Sequence, residues 1–88
     1  MTKAIYRPEY AVFLKLLKQH RIATGLTQEA CSKALDRPQS FMSDVERGSR
    51  RLDIIQLRDL CLVLNLDLST LILEFEQALA GLPSDNKS

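Results

Sequence analysis

Eighty-eight residues, 45% of them hydrophobic and 26% charged, fit a single globular domain with a modest core and exclude a disordered chain. No apolar run approaches the ~20 residues that span a bilayer, and the amino terminus MTKAIYRPEY has no signal-peptide core, so the expected compartment is the cytoplasm. The net charge of +1 hides an uneven distribution: residues 1–64 balance at +4 and residues 65–88 at −3, which favours an anionic partner on one face only.

In chain order, residues 1–7 read as a short arm. Pro8 suits the first position of a helix, with Glu9 near the positive end of its dipole. Tyr10, Phe13, Leu14 and Leu17 recur at helical spacing as far as about Thr24, before Gly25. Val12 and Leu16 form a second apolar stripe, for the last helix or for another subunit. His20 is expected on the surface.

The stretch Leu26 to Gly48 reads as two short helices joined by a tight corner. Thr27 can cap the first, whose apolar edge is Cys31, Ala34 and Leu35. Leu35-Asp36-Arg37-Pro38 breaks it; Pro38 then fits the first position of a second helix carrying Met42 and Val45 at helical spacing. Gln39, Ser40, Ser43 and Asp44 remain on the opposite side. Two short helices at a steep angle, the second offering short polar side chains, describe a helix-turn-helix that reads a DNA groove.

A loop with three arginines, Arg47, Arg50 and Arg51, follows around Gly48. Asp53 is a good cap for the helix bearing Ile54, Leu57, Leu60, Cys61 and Leu64, and Asn65 can take the left-handed position that ends it. Ser69 is the expected cap of a last helix with Leu71, Ile72, Phe75, Ala78 and Leu79, stopped by Gly81 and Pro83. The helical core is therefore expected over 8–81, with 82–88 as a disordered tail. Strand signals and repeats are absent, so the fold class is all-α with five helices.

Cys31 and Cys61 form no CxxC pair and sit among apolar neighbours; they read as small buried hydrophobes, with a disulfide or metal pair as the lesser alternative. With one histidine, no zinc constellation assembles. No spacing joins a nucleophile to a base and no glycine loop cradles a phosphate, so no catalytic residue, metal, cofactor or small-molecule substrate is expected.

From about Phe13 to Ile72 the chain resembles the Xre/Cro/CI helix-turn-helix regulators, with their five-helix lambda-repressor-like DNA-binding fold. The residues that carry the resemblance are Leu17 with Arg21, GLTQE (25–29), RPQSFMSDVERG (37–48), RRLD (50–53) and LCLVLNLDLSTL (60–71). It implies base contacts from Gln39, Ser40, Ser43 and Asp44, with Gln39 on adenine the strongest candidate. Gln28, Arg47, Arg50 and Arg51 are then expected on phosphates, and Arg21 with Glu46 as a structural ion pair. Four positions depart from the pattern: Asp36 stands where glycine often makes the turn, Cys31 and Ser32 stand where Leu and Ala are more usual, and Asp44 places an acid on the reading face. Asp44 could accept from cytosine N4 or pair with Arg47 and aim it. Phe41 is expected to pack against the corner, with a thymine-methyl contact as the alternative.

The expected function is a sequence-specific transcriptional regulator, acting as a homodimer on a palindromic stretch of double-stranded DNA. Leu68, Leu71, Ile72 and Phe75 are the candidate dimer residues. The competing reading is the antitoxin of a toxin–antitoxin pair, which masks a toxin protein and autoregulates through the same motif.

Overall fold

The computed structural model describes residues 7–81, and all of its regular structure is helical: α1 (Pro8–Thr24), α2 (Gln28–Ala34), α3 (Phe41–Arg47), α4 (Ile54–Val63) and α5 (Leu68–Ala80). Of the expected arm only Arg7 is described. It holds the extended position before α1, and its guanidinium donates to Glu9 at 3.2 and 3.1 Å. Residues 1–6 and the expected tail, 82–88, lie outside the described residues.

Local chemistry explains where most helices begin and end. Gly25 closes α1 with φ 83°, a left-handed conformation that costs a glycine little. Thr27 Oγ1 accepts from the Ala30 N–H at 3.0 Å and so caps α2. Asp36 takes φ 60° at the corner, where its short polar side chain tolerates the left-handed region. Asp53 and Gln56 form a reciprocal capping box on α4, and Asn65 ends that helix at φ 57°.

Three expectations give way. Pro38 does not open a helix: its carbonyl accepts from Phe41 N–H at 2.9 Å in a single turn, and α3 starts at Phe41. The fixed φ of proline suits such a turn as well as a helix start. Ser69 does not cap α5, because the extended residue is Asp67 and Leu68 is already helical, half-buried against the core. Ile54 is 58% exposed, since it stands about 60° around the helix from Leu57, at the edge of the buried arc.

The core gathers Leu17, Cys31, Met42, Val45, Leu60, Cys61, Leu64 and Leu71, all but closed to solvent, with one or more from every helix. Truncating one of its leucines to alanine would cost about 2–5 kcal/mol. Both cysteines are free and buried. Ala34 is exposed, and Ser32 takes the inward position on α2 instead. The α1 stripe of Tyr10 and Phe13 extends through an edge contact to Phe75 on α5, with ring centroids 5.8 Å apart. His20 is not a free surface group: its Nε2 lies 2.6 Å from Glu74 Oε1, joining α1 to α5 a second time. No described helix is long and apolar enough to cross a membrane.

Candidate nucleic-acid interface

The site is built on α2, the corner and α3, and its rigidity comes from polar groups inside the fold. Arg21 of α1 donates through Nε to Glu46 Oε2 at 2.6 Å and through Nη2 to Oε1 at 3.1 Å. Its Nη1 also donates to the Leu26 carbonyl at 2.8 Å. The two side chains are only 10% and 5% exposed, and the hydrogen bonds Arg21 donates to Glu46 raise its pKa against the lowering effect of burial. One fork thus fixes α1, the α1–α2 loop and the last turn of α3 together.

Glu46 accepts a third hydrogen bond, from a second partner. Gln28 Nε2 donates to Glu46 Oε1 at 2.8 Å. The side chain expected on a phosphate is therefore engaged within the protein, which orients the first residue of α2 against α3.

The entry of α3 is held from another helix. Ser40 is the residue before the helix but its side chain makes no capping bond. The buried Ser32 hydroxyl of α2 instead accepts from Met42 N–H at 2.9 Å. This satisfies a donor that the start of a helix leaves open, and it sets the spacing between the two motif helices. In sequence Ser32 stands out only as a departure from the family pattern; no periodicity marks a serine as a cap for a helix ten residues away. At the other end Gly48 closes α3 with φ 89° and is buried against α1, where an added Cβ would stand 3.3 Å from Leu14 Cδ1.

These constraints leave an open groove of about 630 Å³ between the start of α2 and the entry of α3. Thr27, Gln28, Glu29, Gln39, Ser40 and Ser43 line it. Gln39 and Ser40 are exposed, on the turn that leads into α3 rather than on its body, and Ser43 follows one turn later. Ser43 Oγ donates to the Ser40 carbonyl at 3.1 Å and keeps its acceptor capacity for a ligand. Asp44 is bound by the Arg47 guanidinium one turn along the helix. The acid on the reading face is thus partly neutralised by an arginine from its own helix.

The remaining arginines are positioned by aromatic rings. Arg37 and Arg50 both stand over Phe41, at 5.4 and 5.3 Å from its centroid, and Arg51 stands over Tyr10 at 5.1 Å. Phe41 itself is 5% exposed, which agrees with packing against the corner and leaves little of the ring for a thymine methyl. Of the candidate dimer residues, Leu71 lies wholly within the core and is removed from that set, because it has no surface to offer a partner. Leu68 and Phe75 are half-buried, and Ile72 is 39% exposed.

Two short helices across a fixed corner, with a polar groove between their N-terminal ends and Arg37 and Arg50 in an adjoining pocket, define a helix-turn-helix domain. The chain matches the helix-turn-helix domain family over residues 10–71 and belongs to it. It is 38% identical to an XRE-family like protein from Pseudomonas syringae pv. tomato str. DC3000, covering 80% of this chain and 85% of that one with a TM-score of 0.75. The chain is thus a helix-turn-helix protein of the XRE family. Two structures of the clp gene regulator ClgR from Corynebacterium glutamicum share the fold at 19% and 20% identity, with TM-scores of 0.73 and 0.71. They cover 84% and 85% of this chain, and 79% and 96% of their own. No match emerged among the curated proteins.

Proposed function

We propose that the protein is a sequence-specific transcriptional regulator that binds a palindromic DNA operator as a homodimer. The observation that carries this reading is the groove between the start of α2 and the entry of α3. It is lined mainly by uncharged polar side chains whose donors and acceptors suit base edges, and Arg37 and Arg50 line a second pocket that shares Ser40 with it. Gln39 offers the paired donor and acceptor that match adenine; Ser40 and Ser43 accept either sense of hydrogen bond. Arg50 and Arg51 carry the backbone contacts, with Arg47 joining them when released from Asp44.

Dimerisation draws support from exposed apolar side chains on α4 and α5. Ile55 and Leu62, seven residues apart on one face of α4, are both 64% exposed, and Leu73 and Ile72 of α5 are exposed as well. A two-fold pairing through these helices would present two reading helices to half-sites about 34 Å apart.

Selection of bound duplexes from a random pool tests the whole reading. Recovery of a palindrome with one preferred half-site is the expected result, and a pool that stays random at every salt concentration would refute it. Within the selected site, Gln39→Ala should cost about 1–3 kcal/mol and relax preference at one base pair.

A further inference from the structure

We infer that Arg37 and Arg50 form a single phosphate clamp on Phe41, gripping one phosphodiester of the DNA backbone at the edge of the groove. The inference rests on the DNA-binding reading and adds to it a defined subsite with a residue, Arg37, from the far side of α3.

The two arginines approach the same ring from opposite ends of the motif. Arg37 lies in the corner before α3, and its backbone N–H donates to the Ser32 carbonyl at 3.0 Å. Arg50 lies in the loop after α3. Its N–H donates to the Asp44 carbonyl at 3.2 Å, and Ser49 binds the same oxygen through N–H at 3.0 Å and Oγ at 3.2 Å. Both Cα positions are therefore pinned, and both guanidiniums stand within 5.4 Å of the Phe41 centroid.

A ring can hold two cations only against their mutual repulsion. Among the described residues neither guanidinium has a carboxylate within ion-pair distance: Glu9, Glu74, Glu46 and Asp44 pair with Arg7, His20, Arg21 and Arg47. An anion between them would relieve that repulsion and accept forked hydrogen bonds from both sides.

The space for it is present. A pocket of about 180 Å³ is lined by Arg37, Pro38, Ser40, Phe41, Asp44 and Arg50. Ser40 also lines the reading groove, so the two adjoin at that residue. Asp44 borders the pocket, but its carboxylate is held by Arg47. A phosphate seated here would fix the register of α3 along the duplex.

Counterion release supplies a test that separates one shared phosphate from two. Affinity for a labelled mixed-sequence duplex is measured against salt for the wild type, Arg37→Ala, Arg50→Ala and the double variant. Circular dichroism melting confirms that these exposed positions leave the fold intact. Each single variant should lose about tenfold in affinity with little change of slope, because the remaining arginine still neutralises the phosphate. The double variant should lower the slope by about 0.9. Single variants that each lower the slope by that amount would mean two separate phosphates and overturn the clamp. Wild-type behaviour of the double variant would also overturn it, with the DNA-binding reading intact. Failure of the wild type to bind any duplex would overturn both.

Discussion

Arg21 and Glu46, 25 residues apart in sequence, form a two-pronged ion pair that ties the end of α1 to the last turn of α3. Because both side chains are nearly closed to solvent, removal of either strands a buried charge. Arg21→Ala should lower unfolding stability by about 3–5 kcal/mol, read by urea titration. Gln28→Ala, which removes only one hydrogen bond to the carboxylate, should cost about 1.5–3 kcal/mol at most. If Arg21→Ala melts like the wild type, the pair is not what holds the recognition helix in place.

Ser32 and Ser40 make a matched comparison. The serine that sequence position would nominate as the cap of α3 is Ser40, and its side chain makes no cap bond. The serine that performs the task is Ser32, fully buried on α2. Ser32→Ala should destabilise the domain by about 1–3 kcal/mol, because it leaves the Met42 N–H unpaired inside the fold. Ser40→Ala should change stability by under about 0.5 kcal/mol yet weaken DNA binding. The reverse order of stabilities in thermal melts would refute the assignment.

That comparison also marks how far the sequence is legible. Features written in a few adjacent residues were readable: the Gly25 and Asn65 helix ends and the Thr27 and Asp53 caps, whereas the left-handed turn at Asp36 was readable only through the family resemblance. The Arg21–Glu46 pair was readable only through the family resemblance, since nothing local links two charges 25 positions apart. Features that depend on which element lies alongside were not readable. Ser32 caps a neighbouring helix, Gln28 turns to Glu46 instead of outward, and Arg37 shares a ring with Arg50. Pro38 and Ser69 failed for a different reason. Each residue type suits two neighbouring backbone positions equally, and packing of Phe41 and Leu68 chose between them.

The two buried thiols make stability depend on pH in one direction. Burial pushes the Cys31 and Cys61 thiols above their ordinary pKa of 9.0; for Cys31, nearby Arg21 opposes that rise and Glu46 adds to it. Below about pH 9 both folded and unfolded chains hold these protons, so the thiols contribute no pH dependence. Above it the unfolded chain loses them first and binds fewer protons than the fold. Stability should therefore fall as pH rises, by up to about 1.4 kcal/mol per pH unit for each thiol. Tyr10, also raised by burial from 10.0, adds to the fall at higher pH. Melts at pH 8 and pH 10 for the wild type and a Cys31→Ala, Cys61→Ala pair would test this. An equally steep loss in the cysteine-free variant would assign the effect elsewhere.

On the proposed DNA-binding reading, Asp44 faces the duplex and restrains binding to it. Its carboxylate holds Arg47, so the recognition helix presents a compensated pair in place of a free arginine. Asp44→Asn keeps the size and hydrogen-bonding capacity of the side chain but removes its charge. Arg47 is then released toward the backbone, and an anion no longer repels the phosphates. Binding to mixed-sequence duplex should tighten, and the salt slope should steepen by about 0.9 as one more phosphate is neutralised. Discrimination between the selected site and random DNA should shrink, because the added contact is blind to sequence. A variant that gains no non-specific affinity, yet loses preference at a single cytosine, would show that Asp44 reads that base directly.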